Sequence, residues 1–248
     1  MVLPLFFAND LQGLLPGQNY LLTGTEGKHA AVVRRMQIDE GIQVTDGQGL
    51  RVIGSVAEVL SAEISMRVTE VIQEEKPNLQ ITLIQALAKG DRDELAVQAA
   101  TELGAVGVIP WQANRSISRW EGAKAEKGRA RWQTIAAEAA KQSLRVWEPQ
   151  VSVLLTSKQL AAKLDDFDLV FVLDPTAKTG LTEIGKPAGS IAIVVGPEGG
   201  IETSELELLE RSGAKRVHLG QGILRTSTAG LAAISYLIGV AGLWDSAE

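Results

Sequence analysis

The 248-residue chain has no cysteine and only two histidines, His29 and His218. Disulfides, thiolate-held zinc, iron–sulfur clusters and thiol catalysis are therefore excluded, and a histidine-rich metal site is not expected. Long apolar runs are scarce as well. Residues 1–7 are apolar but short and lack a basic start, so they do not read as a signal peptide. The longest uncharged apolar stretch, residues 229–244, is rich in Ala and Gly and short for a bilayer span. With 45% hydrophobic and 22% charged residues, the composition is that of an ordinary globular protein, expected to be cytoplasmic.

Positive charge is also in short supply, since the formal net charge is −6. Its placement is uneven. Between Trp111 and Trp147 eight Lys or Arg face three Glu, a local charge of +5 that leaves −11 for the rest. A basic stripe on an acidic protein suits one polyanion-binding face. Arg115, Arg129 and Arg145 lie in it and are candidate RNA contacts.

Residues 1–74 read as β-rich. A strand enters a glycine-punctuated turn over residues 41–49 and returns over 50–56, as a hairpin would. Residues 64–72 read as another strand, and 28–36 as a short helix carrying His29, Arg34 and Arg35. Glu74-Glu75-Lys76-Pro77-Asn78 reads as a linker, because charge and proline break the pattern. From residue 79 strands alternate with helices: strands at 79–87, 107–111 and 169–173, helices at 91–103 and 127–144. Helices are also expected at 203–211 and 228–243. Such alternation argues for a parallel sheet covered on both faces.

Two glycine-rich loops follow the last two apolar runs. Ile191-Ala192-Ile193-Val194-Val195 feeds Gly196-Pro197-Glu198-Gly199-Gly200, and Arg216-Val217-His218-Leu219 feeds residues 220–230. Ligands of open α/β sheets bind at such carboxyl ends. A bare phosphate is a poor candidate, because Pro197 removes an N–H and Glu198 adds negative charge. Leu219, Ile223 and Leu224 suit a flat apolar ring, so an adenosine-type ligand without phosphates is expected. Neither loop carries the dinucleotide fingerprint that an oxidoreductase on a similar sheet would need.

At these loops the chain resembles the SPOUT methyltransferases and, within them, the ribosomal RNA small-subunit methyltransferase E family. Gly196-Pro197-Glu198-Gly199-Gly200 and Leu219-Gly220 with Ile223-Leu224-Arg225-Thr226 and Thr228-Ala229 carry the likeness. Ala86-Leu87-Ala88-Lys89-Gly90-Asp91, Glu102-Leu103-Gly104, Pro110-Trp111, Arg115-Ser116 and Glu138-Ala139-Ala140 extend it in order along the chain. The resemblance implies an α/β fold with an N-terminal PUA-like, RNA-binding β-barrel (residues 1–74). A SPOUT domain (79–248), with a C-terminal trefoil knot, would follow. It also implies a homodimer that methylates N3 of a uridine in 16S rRNA, free or in the small ribosomal subunit, using S-adenosylmethionine. The chain departs from the family at Gly222, Ser227 and Lys141, where Arg, Glu and Glu are common. Those departures keep open action on another RNA position, such as a tRNA ribose. A non-catalytic RNA-binding protein is the further alternative.

On this reading S-adenosylmethionine would meet Leu173, Gly196, Glu198, Gly199, Gly200, Leu219, Gly220, Ile223, Leu224, Thr226, Thr228 and Ala229. His29, Arg34 and Arg35 match an RNA-binding His and Arg pair of the family, and Lys89 and Arg92 would meet phosphate. A uridine N3 loses its proton only roughly two pH units above neutral, a deficit of about 2.7 kcal/mol. A nearby cation could supply that, and Arg225 is the first candidate. Glu138 and Gln142, one helical turn apart, share a face with Arg145 and are candidate contacts for the target nucleotide.

Overall fold

The computed structural model describes residues 2–244. The chain forms two compact units, Met1–Lys76 with Ala140–Glu148, and Pro77–Ala139 with Pro149–Glu248. The sequence reading assigned residues 140–148 wholly to the second domain, whereas they pack as part of the first unit.

The first unit runs β1 (Leu5–Phe7), β2 (Asn19–Leu22), α1 (Gly24–Lys28), β3 (Gly41–Thr45), β4 (Leu50–Val59) and β5 (Ile64–Gln73). The strands form one mixed sheet in the order β1-β3-β4-β5-β2. β1 pairs parallel to β3 and the other neighbours are antiparallel. The hairpin expected at residues 41–56 is present as β3 and β4. β4 alternates inward Val52 and Val56 with half-exposed residues, the period that puts one face against a core. Phe6, Leu22, Ile42, Val44, Ile64 and Met66 fill that core. Two register shifts between β4 and β5 bend the sheet. Among the described residues β1 and β2 do not pair, so it is a curled half-barrel, not a closed barrel.

Residues 28–36 depart from the expected α-helix. After α1 the chain widens into a π-helical turn at His29–Val33, closed by the Arg34 N–H on the His29 carbonyl at 2.8 Å. Arg35 then takes a left-handed φ of 55°.

The second unit holds β6 (Leu79–Ala86), α2 (Arg92–Leu103), β7 (Gly107–Gln112), α3 (Ala123–Gln142, whose last turn belongs to the first unit), β8 (Gln150–Val151), β9 (Leu155–Thr156), α4 (Ser157–Ala161), β10 (Leu169–Leu173), β11 (Gly189–Val195), α5 (Thr203–Arg211), β12 (Lys215–Val217) and α6 (Ala229–Ala241). All pairings in its seven-stranded sheet are parallel, in the order β12-β10-β11-β6-β7-β8 with β9 also on β7.

Alternation along the central strands sorts the two layers. Ile81, Leu83, Ile191, Ile193 and Val195 pack with Ala96 and Ala100 of α2 and Ala233, Ile234 and Leu237 of α6. Ile84, Ala86, Ala192 and Val194 point the other way, against Leu160 of α4 and Leu206 and Leu209 of α5. Both faces are thus buried, as a parallel sheet requires. Gly230 lets α6 press onto that sheet, because a Cβ there would lie 2.9 Å from Leu83 Cδ1. Among the described residues no helix is long and apolar enough to cross a membrane, and no cluster of three metal-ligating side chains occurs.

Candidate active site

Strands β10, β11 and β12 are parallel neighbours, so their carboxyl ends open on one side of the sheet. β11 ends at Val195 and runs into Gly196, where the chain turns with the Gly200 N–H on the Pro197 carbonyl at 2.9 Å. β12 ends at Val217, and Gly220, at φ 92°, donates its N–H to His218 Nδ1 at 3.1 Å. The Arg225 carbonyl then accepts the Thr228 and Ala229 N–H groups, both at 2.9 Å, as α6 begins.

Thr226 joins the two loops. Its Oγ1 donates to the Gly196 carbonyl at 2.8 Å and accepts from Gln85 Nε2 at 2.9 Å. Gln85, at the end of β6, is fully buried, so this is a bond with little competition from water.

Between the loops lies a cavity of about 570 Å³, a volume suited to a nucleoside-sized ligand. Leu173, Gly196, Glu198, Gly200, Leu219, Ile223, Leu224, Thr226 and Ala229 line it, while Gly199, Gly220 and Thr228 do not. Ile223 is 81% exposed and Leu224 42% exposed, an apolar surface at the cavity that a flat ring would cover. Gly200 and Gly222 line the cavity too, and a Cβ on either would meet no atom within 4 Å. Open space over bare backbone, with apolar walls from Leu173, Leu219, Ile223 and Leu224, fits an adenosine-type ligand.

Glu198 lines the cavity with its carboxylate already bonded. Its Oε1 accepts the Lys89 N–H at 3.1 Å and Arg92 Nη1 at 2.9 Å. Burial pushes its carboxyl up, but its own and the Lys89 backbone N–H groups and the Arg92 guanidinium pull harder, and the net shift is down. Asp174 also lines the cavity, is 7% exposed, accepts from Thr176 and pairs with Arg216 Nε at 2.7 Å. Burial raises its carboxyl, and these partners more than reverse that. Arg225 also lines the cavity and is exposed, and among the described residues no carboxylate pairs with it.

A model of the RNA methyltransferase domain matches residues 74–238. Ribosomal RNA small subunit methyltransferase E of Mycobacterium bovis is 36% identical over 99% of this chain and 95% of its own length. The protein of the same name from Bacillus subtilis is 36% identical, covering 87% of this chain and 88% of its own. This chain belongs to the ribosomal RNA small-subunit methyltransferase E family. A solved family member, from Neisseria gonorrhoeae and bound to S-adenosyl methionine, superposes with a TM-score of 0.83 at 28% identity, covering 96% of this chain and 98% of its own.

The remaining candidates of this family member scatter. Lys89 is exposed beside the Glu198 loop, and Arg92 lines the cavity while bonded to Glu198. Arg115 Nη1 donates to the Gly199 carbonyl at 3.3 Å. Arg129 is held by Glu126 one turn away on α3, which raises its pKa and occupies its guanidinium. Arg145 is half-buried, and burial lowers its pKa. Glu138 and Gln142 are both exposed on α3, and neither lines the cavity that holds Arg225. Gln142 instead lines a smaller cavity of the first unit, together with His29 and Arg34. Arg35 is exposed next to it in sequence.

Gln85, Asp174 and Arg216 were missed by the sequence reading. Gln85 sits inside the apolar run of β6, and only a polar residue amid buried neighbours could have flagged it.

Proposed function

We propose that this protein transfers the methyl group of S-adenosylmethionine to N3 of a uridine in the 16S rRNA of the small ribosomal subunit. The single observation that carries this reading is the cavity between the two glycine-rich loops, in a chain alike over its whole length to a small-subunit RNA methyltransferase. The first unit, residues 1–74 in the main, is then a PUA-like RNA-binding domain. Residues 79–248 are the SPOUT domain, with its trefoil knot formed around the methyl donor. The active form is a homodimer. Exposed Val240, Leu243 and Trp244 at the end of α6 support that, as apolar surface for a second copy to cover.

S-adenosylmethionine, when bound, supplies a methyl on a sulfonium that departs with the bonding electron pair. The protein's part is alignment, worth on the order of 7–11 kcal/mol, together with electrostatics. Thr226, fixed by Gln85 and the Gly196 carbonyl, sets the distance between the loops that hold the donor. Glu198 anchors the upstream loop through Arg92 and the Lys89 backbone. The Arg225 guanidinium has no competing carboxylate among the described residues, which leaves its charge for the N3 anion of the acceptor. Lowering the N3 pKa by about two units needs about 2.7 kcal/mol, within reach of one cation in a partly desolvated site. The N3 proton passes to solvent.

Isothermal titration with S-adenosylmethionine, followed by methyl transfer to 16S rRNA and to small subunits, tests this reading. Saturable binding and N3-methyluridine in the RNA support it. No binding, with RNA still bound, would favour a non-catalytic RNA-binding protein.

A further inference from the structure

Glu205, in the first turn of α5, is 2% exposed, and among the described residues no cation pairs with it. A buried carboxylate is costly unless its oxygens are bonded. Here the donors are neutral groups from three other places in the chain. Oε1 accepts the Asn114 N–H at 2.9 Å and the Ser157 hydroxyl, which itself accepts from Trp111 Nε1 at 3.1 Å. Oε2 accepts the Glu202 N–H at 3.3 Å and so closes a capping box at the start of α5. Hydrogen bonds to an ionised acceptor are the strong kind, and burial protects them from water.

The segment that Glu205 holds lies on the upstream glycine-rich loop. Asn114 is exposed but tied at three points. Besides its N–H on Glu205, its Nδ2 donates to Glu202 Oε2 at 2.8 Å, and its carbonyl accepts from Arg119 Nη2 at 2.8 Å. The next residue, Arg115, meets Gly199. Its Nη1 donates to the Gly199 carbonyl at 3.3 Å, and a Cβ on Gly199 would stand 3.3 Å from Arg115 Cβ and 3.4 Å from its carbonyl oxygen. The peptide joining Gly199 to Gly200 therefore has its carbonyl on Arg115 and its N–H on the Pro197 carbonyl. Gly200, Ile201, Thr203 and Leu206 line the cavity, whereas Gly199, Glu202 and Glu205 do not. The bonds thus fix the wall of the cavity from outside it.

We infer that Glu205 is a positioning residue for the methyl donor, acting through Asn114 and Arg115 to hold the 196–201 loop in the shape that S-adenosylmethionine meets. The inference rests on that cavity being the donor site, and it names what sets the upstream loop before a ligand arrives. Thr226 ties this loop to the downstream one at Gly196, and Glu205 secures its other end. A wall fixed in advance spares the ligand the cost of ordering it.

The test is titration of S-adenosylmethionine into the full-length chain without RNA, for the parent, Arg115→Ala, Glu205→Gln and the double variant. Glu205→Gln keeps the shape but removes the charge and one acceptor. Arg115 is exposed, so its truncation tests the same chain of contacts without disturbing the core. Each single variant should weaken binding about three-fold or more. The double variant should lose little beyond the weaker-binding single, because both act through one set of contacts. In steady-state methylation of 16S rRNA, Glu205→Gln should raise the KM for S-adenosylmethionine and keep kcat and the KM for RNA. A variant that is only less well folded would lower kcat, through loss of active enzyme, with both KM values kept. That pattern, parental affinity in both single variants, or strictly additive losses would overturn the positioning role and leave the proposed function standing. A parent chain that does not bind S-adenosylmethionine would overturn both.

Discussion

Thr226 Oγ1 lies 2.8 Å from the carbonyl oxygen of Gly196, thirty residues earlier in the chain. One hydroxyl thereby sets the separation of the two glycine-rich loops, and buried Gln85 fixes that hydroxyl from behind. Thr226→Val removes the donor to the Gly196 carbonyl and leaves Gln85 Nε2 with only the Ala86 carbonyl as acceptor, a loss of about 1–3 kcal/mol for a buried partner. S-adenosylmethionine affinity should fall by at least about five-fold, and Thr226→Ser should restore most of it. Calorimetry on both variants, with thermal midpoints as the folding control, checks this. Equal affinity in Thr226→Val and the parent would mean that the loops are held by something else.

The acid limit of cofactor binding follows from two carboxylates. Glu198 and Asp174 both have folded pKa values below their ordinary ones. Their contributions are therefore complete above the usual carboxylate range, near pH 4, and are lost as pH falls through the lowered folded values. Affinity should be level from pH 8 to about 4 and drop below that, where the lowered carboxylates protonate. In Glu198→Gln the acid drop should be shallower, with the remainder belonging to Asp174. An unchanged acid limb would remove Glu198 from the anchoring of its loop.

Two glycines of the downstream loop should respond differently to the same added methyl. Gly222 has an ordinary φ and open space around a Cβ, so Gly222→Ala should keep the parental thermal midpoint. Gly220 also has space but sits at φ 92°, where an L side chain costs about 1–2 kcal/mol. Gly220→Ala should therefore lower the midpoint and the cofactor affinity together. Gly196 is a third case. A Cβ there would stand 2.6 Å from Ile201 Cγ1, so a bulky residue would displace the upstream loop as well as block a ligand.

Arg225→Lys separates cofactor binding from chemistry. Lysine keeps the charge but loses the planar fork that fixes its position. Affinity for S-adenosylmethionine should be largely kept while turnover falls. Single-turnover rates should recover from pH 7 to 9.5, as hydroxide removes the proton that the arginine helps to release. If affinity and rate fall together and stay low at high pH, Arg225 serves only to brace the loop.

The architecture was legible where periodicity and turn chemistry agreed. The runs 169–173 and 191–195, each apolar and each ending at a loop, are β10 and the inner part of β11. Shorter elements left too little pattern: β1 has three residues, and β8 and β9 two each. Helix α3 begins at Ala123, four residues before the expected start at 127, and Gly128 inside it lets Trp120 approach, since a Cβ there would lie 2.5 Å from the indole. That close approach is tertiary and has no local signal. The same holds for the bond between Gln85 and Thr226, 141 positions apart. Glu138 and Gln142 share a helix face, and neither lines the cavity that holds Arg225.

The central claim, N3 methylation of one uridine in 16S rRNA, is tested most directly by mass mapping of 16S rRNA from a strain lacking the gene, with and without the gene restored. The account expects one nuclease fragment to lose a single methyl mass in the deletion strain and regain it on complementation, with the methyl on a uracil base at N3. Identical fragment masses in all strains, or a lost methyl that lies on a ribose or in tRNA, would contradict it.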